Sequence, residues 1–232
     1  LVLDLNDWTV PALATHEQAR AWRARAEGYI QVLLDHGVVD FQDIDPGLIA
    51  QIGRGFYRVY QDFPAALRQM KGLISSTSPL AAAHGVKLQE HAYAEMDREV
   101  GLVVFNAALF GDADLLERHL ARDEHNWWLP PGCASPESIA VHEFAHVVWN
   151  WLEGNPATQG PLHQFIEHYP FIIGQSLSGE AALSDAELWA EGFAVHYCGT
   201  IEAQDNSYVR HQWYFLHRLL AAQPPATPDR AI

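Results

Sequence analysis

Residues 141–151 read Val-His-Glu-Phe-Ala-His-Val-Val-Trp-Asn-Trp. Two histidines and a glutamate interrupt an otherwise apolar run. Residues four apart on an α-helix share one face, one turn apart, so His142 and His146 project side by side. Two imidazoles so placed can share one zinc ion, at about 2.0–2.1 Å from each ring nitrogen. Glu143 follows the first histidine, roughly 100° further round the axis. There it is badly placed to ligate the metal and well placed to take a proton from a water beside it. Two ligands and a general base are what make H-E-x-x-H a metallohydrolase pattern. Buried without partners, the three groups would be costly. A metal removes that cost. The competing account is a pair of core histidines satisfied by ordinary hydrogen bonds.

A catalytic zinc usually keeps three protein ligands and a water. The metzincin extension H-E-x-x-H-x-x-G-x-x-H is closed, because Trp149 stands at the glycine position and Leu152 at the last histidine. Cys133 lies beside a Pro-Gly loop and reads better as a partly buried thiol than as a ligand. The stronger candidates sit downstream in SDAELWAEGF, residues 184–193. Glu187 and Glu191 are four apart on one predicted helix among Leu188, Trp189 and Phe193. One would bind the metal. The other would accept the N–H of a ligating histidine and fix its tautomer. Spacing leaves open which does which. Ser184-x-x-Glu187 is also a capping box. On that account the Glu187 carboxylate bonds the Ser184 N–H, and Glu191 belongs to a solvated face.

Several elements must carry these residues. Ser135 as N-cap and Pro136 at the first turn start the central helix, which Gly154 and Asn155-Pro156 end. Ser184 starts a later helix that Gly199 ends. Upstream, residues 16–36 form an amphipathic helix capped by Thr15, and Asp45-Pro46 opens a second helix that runs to about Asp62. KGLISSTS (71–78) is a weak strand; HAYAEMD (91–97) alternates as strands do, and GLVVFNA (101–107) is β-branched and apolar. The short link between the last two predicts a hairpin or a short loop. Asp112 caps a further helix, NWWLPPG (126–132) is a loop, and residues 155–183 read as irregular. A last amphipathic helix covers about 206–222. The expected fold is α+β: mostly helical, with a small, mainly antiparallel sheet beside the H-E-x-x-H helix. The expected organisation is an N-terminal helical segment (1–65) packed on a main domain (66–222), then a flexible tail (223–232).

Composition narrows the function classes. The chain has 232 residues, 49% of them hydrophobic, enough to bury a sizeable core. Its net charge is −15 with only 14 Lys and Arg. Phosphate backbones and anionic membranes are bound chiefly through Lys and Arg, so neither nucleic acid nor membrane is an expected partner. No stretch approaches the roughly 18 uninterrupted apolar residues of a membrane span. The first ten residues lack the basic and apolar regions of a signal peptide, so a soluble chain is expected, with its compartment and oligomeric state open. Two cysteines, Cys133 and Cys198, allow one disulfide but no disulfide scaffold.

HEFAH followed some forty residues later by AELWAEGF resembles the gluzincin type of zincin metallopeptidase. The likeness is nearest to anthrax lethal-factor-like peptidases and to phage- and prophage-associated domains. It covers about residues 70–200, and GLVVFNAALF is similar to the strand before the active-site helix. The resemblance implies a zincin-like fold and one zinc ion. It makes His142, His146 and Glu187 the ligands, Glu143 the general base, and Glu191 the acid that orients a ligating histidine. It implies hydrolysis of peptide bonds in a peptide or protein substrate. One departure stands out: where such domains carry an oxyanion-steadying tyrosine, seven residues before the third ligand, this chain has Glu180. Tyr169, Tyr197, Tyr208, His163 and His168 are the candidate replacements, in oxyanion or substrate roles. A non-catalytic, zinc-stabilised interaction module is the alternative to a peptidase.

Overall fold

A computed structural model of the chain describes residues 8, 10, 15–89 and 91–221, with Phe171 and Ile172 described by backbone alone. The expected tail at 223–232 lies outside the described residues. The elements run α1 (His16–Leu33), β1 (Val38–Asp40), α2 (Pro46–Asp62), α3 (Pro64–Leu67), β2 (Gly72–Ser75), α4 (Pro79–Ala83), β3 (Ala94–Asp97) and β4 (Leu102–Phe105). They continue with α5 (Ala107–Phe110), α6 (Ala113–His125), α7 (Pro136–Gly154), α8 (Pro156–His168), α9 (Asp185–Cys198), α10 (Ile201–Gln204) and α11 (Ser207–Ala221). The fold is α+β, mostly helical with one four-stranded sheet.

Local chemistry explains most boundaries. Thr15 and Gln18 form a capping box on α1. The Asp45 carboxylate accepts the N–H groups of Gly47 and Leu48 at the start of α2. Ser135 accepts the Ser138 N–H at 3.1 Å, and the Ser138 hydroxyl accepts the Ser135 N–H at 3.2 Å, so α7 starts on a reciprocal pair with Pro136 behind it. In the β3–β4 turn, Asp97 accepts the N–H groups of Glu99 and Val100 before Gly101 closes the loop at φ 78°. That backbone conformation favours glycine.

Helix α8 falls where the sequence reads as irregular. Asn155 is both the end of α7 and the cap of α8: its side chain accepts the Ala157 N–H at 3.0 Å, with Pro156 in the first turn. A helix stop and a helix start share the same residues, so the stop signal hides the start. Pro161 inside α8 strengthens the disguise.

The sheet order is β1-β2-β4-β3. Only the β3–β4 hairpin is antiparallel; β1–β2 and β2–β4 are parallel. The sheet is therefore mixed, not mainly antiparallel as the alternating stretch suggests. The reason is connectivity. Strands joined by helical crossovers pair in parallel, and α2 joins β1 to β2. Strand β1 has three residues, too few for a periodic signal. The central strands β2 and β4 are buried along their whole length, while β3 forms an edge.

One continuous core contains Leu73, Val103 and Phe105 from the sheet, Ile30 and Leu34 of α1, Ile49, Ile52 and Phe56 of α2, and most of α7 and α9. The N-terminal helices thus share their core with the remainder. A smaller cluster, Ile74, Ala81, Leu102 and Val104, lies under α4 on the other sheet face. Helix α7 runs through the middle. On one side α2 approaches it, with Phe56 and Phe144 edge to face at 5.5 Å and the Arg54 guanidinium donating to Glu137 at 3.1 Å. Gly55 permits the close approach: a Cβ there would sit 2.8 Å from the Glu137 carbonyl oxygen. No helix among the described residues is long and apolar enough to cross a membrane.

Gly55→Ala is predicted to push α2 off α7. The expected cost is about 1–3 kcal/mol, the usual range for overpacking, read as a lower urea midpoint. An unchanged midpoint would show that the two helices can separate freely.

Candidate metal centre

The chemistry-bearing residues come from two helices that cross in the core. Trp189 of α9, fully buried, donates its indole N–H to the Ala145 carbonyl of α7 at 3.2 Å. Trp149 of α7 meets the same indole edge on, at 5.6 Å. From behind, Gln212 of α11 donates to the Trp189 carbonyl at 2.8 Å. These contacts set the rotation of α9 against α7, and with it the direction in which the α9 acids point.

Three atoms converge between the helices. His142 Nε2 lies 3.0 Å from Glu187 Oε2 and 3.2 Å from His146 Nε2; His146 Nε2 lies 3.5 Å from the same carboxylate oxygen. His142 Nδ1 donates to Glu191 Oε1 at 3.1 Å. The Ser184 hydroxyl caps α9 through the Glu187 N–H at 3.1 Å, but the Glu187 carboxylate turns to the histidines. The backbone half of the capping box forms and the side-chain half does not. Of the two acids, Glu187 faces the converging nitrogens, and Glu191 holds the far side of His142.

Two histidine nitrogens and a carboxylate oxygen face one point, where the rings can also donate directly to the carboxylate oxygen. A cation between them satisfies all three, so His142, His146 and Glu187 form a group able to bind a metal ion. Ligand atoms of His142, Glu180 and Glu191 also lie within 4.8 Å of one another. In that set Glu191 already engages the His142 ring nitrogen it would share. Glu143 follows His142 on α7, buried at 6% exposure.

The electrostatics follow from burial and from the pairing of these groups. Burial alone would lower the pKa of His142, but hydrogen bonds to Glu187 and Glu191 outweigh it and raise the imidazole well above the ordinary value. Burial would raise Glu187, yet the two histidines hold it far below the usual carboxylate range. Burial pushes the Glu143 carboxyl up, partly offset by His142 and His146. Glu180 is pushed up to about 8 by burial, against the pull of His142 and with Glu191, Glu187 and Glu143 adding to it.

A cleft of about 800 Å³ opens onto this group. Edge strand β3 and the residues before it supply Tyr93, Glu95 and Met96; α6 supplies His119, Arg122 and Asp123; Trp128, Glu180 and Leu183 complete the wall. Tyr93 donates its hydroxyl to Asp123 at 2.5 Å, and Arg122 pairs with Asp123 at 2.9 Å. The alternation of His91, Tyr93 and Glu95 was the available signal for this wall.

The expected replacements for the missing tyrosine are elsewhere. Tyr169 packs between Phe165 and His211, and Tyr208 is buried against Phe165. Tyr197, in the last turn of α9, donates to Asp62. His163 and His168 lie on the exposed side of α8. None of the five lines the cleft. For Tyr169, His163 and His168 the physical reason is α8: once residues 156–168 are helical they fold back on α7, with Thr158 bonded to the Leu152 carbonyl and Phe165 against Trp189. Tyr197 and Tyr208 belong to α9 and α11. Cys133 is buried, outside the metal-binding group, with burial pushing its thiol well above the ordinary value. Cys198 is likewise free.

No protein-family model, curated protein or solved structure matches the chain.

Two outcomes are expected for metal binding. A divalent ion must displace the proton that His142 holds on Nε2. Because that pKa is raised, the proton is present through neutral pH, so affinity falls as pH falls and binding releases protons. Calorimetry in buffers of different ionisation heat measures the release. Glu191→Gln should weaken binding by about 10–100-fold, the usual effect of removing a carboxylate partner from a ligating histidine. Metal affinity indifferent to both pH and Glu191 would rule out this centre.

Proposed function

We propose that the chain is a zinc-dependent peptidase, with His142, His146 and Glu187 as ligands and Glu143 as general base. The observation that carries this reading is the triangle of ligand atoms, with sides of 3.0, 3.2 and 3.5 Å. Tetrahedral zinc with bonds near 2.05 Å needs ligand atoms about 3.3 Å apart. Two imidazoles and one carboxylate are a known catalytic donor set for zinc, leaving a fourth position for water or substrate. When bound, the ion would lower the pKa of a water toward about 7 and polarise a carbonyl.

The chain's own residues supply the rest. Glu143 takes the proton of the attacking water as the new C–O bond forms. It then passes that proton to the amine nitrogen as the C–N bond breaks. Its raised pKa suits a proton carrier at neutral pH. Glu191 holds His142 in the tautomer that presents Nε2. A peptide is supported as substrate by strand β3: only β4 pairs with it, and its other side borders the cleft. An extended peptide can add to such an edge through main-chain hydrogen bonds.

One observation favours a second reading, a zinc-stabilised interaction module without turnover. Tyr93 is the one tyrosine among the described cleft-lining residues, and its hydroxyl is already given to Asp123. Glu143→Gln separates the two readings. In a peptidase it retains zinc and lowers hydrolysis of a peptide library by about 10²–10⁴-fold, the range for a general base. If the unaltered chain binds zinc and cleaves nothing, the peptidase reading is lost and the module reading stands.

A further inference from the structure

The cleft carries more carboxyl than guanidinium groups beside the group that could bind a metal. Among the described lining residues, the carboxylates are Glu95, Asp123, Glu143, Glu180 and Glu187, and the guanidinium groups are Arg98 and Arg122. Arg122 is taken by Asp123. Glu187 faces the two histidines, and Glu143 belongs to the proton transfer. Glu180 is different: its carboxylate makes no hydrogen bond and no ion pair with any described residue, although the side chain is largely enclosed.

Glu180 is also held in place. The Gly179 N–H donates to the Trp127 carbonyl at 2.7 Å, and the Leu183 N–H donates to the Glu180 carbonyl at 2.9 Å. The adjoining loop is shaped to match. Trp127 adopts φ 61°, a left-handed conformation costly for a bulky residue. Trp128 then lies against Gly179, where a Cβ would come within 3.1 Å of its ring. Trp128 and Leu183 remain 41% and 59% exposed while lining the cleft. A carboxyl group lining the same cleft as an exposed indole and an exposed leucine, to both of whose backbones its own is bonded, offers two things at once. The apolar groups can cover an alkyl stem, and the indole face and the carboxylate both attract a cation.

We infer that Glu180, Trp128 and Leu183 form the subsite for a lysine or arginine side chain of the substrate, close to the bond that is cut. The closeness follows from a Glu180 carboxylate oxygen lying within 4.8 Å of a His142 ring nitrogen. Glu95 on the opposite wall adds a second negative charge against acidic peptides. The inference rests on the peptidase reading for the word substrate, and the test separates the two.

The test measures binding and cleavage independently. Zinc-loaded Glu143→Gln chain is titrated by calorimetry at about pH 9, where Glu180, pushed up to about 8, is ionised and lysine still charged, with peptides that differ only in carrying Lys, Gln or Glu at each position in turn. At one position Lys should bind about tenfold more tightly than Gln, as for a charge-assisted contact, and Glu more weakly than either. Adding Glu180→Gln should reduce the Lys-to-Gln ratio to about threefold or less, and Trp128→Ala should reduce it independently. Circular dichroism and zinc content confirm that each variant is folded. Equal binding of Lys and Glu peptides at every position overturns the inference. So does a Glu180→Gln variant that loses zinc affinity while the preference survives, because the Glu180 charge then belongs to the ion. Cleavage by the unaltered chain is scored separately. Hydrolysis without a basic preference sinks the subsite alone; basic preference in binding without any hydrolysis sinks the peptidase reading alone.

Discussion

The crossing of α7 and α9 is the constraint on which the rest depends. The histidines and the acids that face them are separated by some forty residues of sequence and meet only because the helices meet. Trp189 is the wedge. Its ring fills the space between the helices, and its N–H takes the Ala145 carbonyl one residue before His146. A buried indole N–H left without an acceptor is costly, so this bond selects one rotation of α9 among those that would bury the same apolar area. Leu188, Trp189 and Phe193 face the core, and that rotation leaves Glu187 and Glu191 toward α7. Hydrophobic packing and polar geometry thus agree on a single arrangement.

The same arrangement concentrates charge in a dry place. His142, Glu143, His146 and Glu191 are all less than a tenth exposed. The imidazole of His142 answers by holding both protons, one toward each acid. Some groups still go without: His146 Nδ1 and Glu191 Oε2 have no partner among the described residues. Leaving polar atoms buried and unpaired is unfavourable. A divalent ion replacing the His142 proton would engage the three converging atoms, His142 Nε2, His146 Nε2 and Glu187 Oε2, together.

Rigidity is distributed to match. His142 and His146 sit in mid-helix, where neighbouring turns fix the backbone, Glu187 sits in the capped first turn of α9, and α2 and α11 press on the two helices from outside. The cleft wall opposite is an edge strand and a loop, elements that can accept a guest along their free side. Trp127 in its left-handed conformation and Gly179 against Trp128 belong to that wall. Shape and charge there are set by close backbone contacts rather than by core packing.

What the sequence determined by itself was everything carried by one helix at a time. The side-by-side placement of His142 and His146, the adjacency of Glu143, the caps at Ser135 and Ser184 and the β3–β4 hairpin all follow from periods of 3.6 and 2 and from turn chemistry within a few residues. What only the tertiary structure decided was every relation between elements. The direction of the Glu187 carboxylate could not be read, because a capping box and a metal ligand require the same residue at the same spacing. The parallel pairing of β1 with β2 was hidden because a crossover leaves no mark on strand periodicity. Helix α8 was hidden because Asn155-Pro156 ends one helix and begins the next. Its presence takes Tyr169, His163 and His168 away from the cleft. Local periodicity specifies a face, and the packing of one face on another is a property of the whole chain.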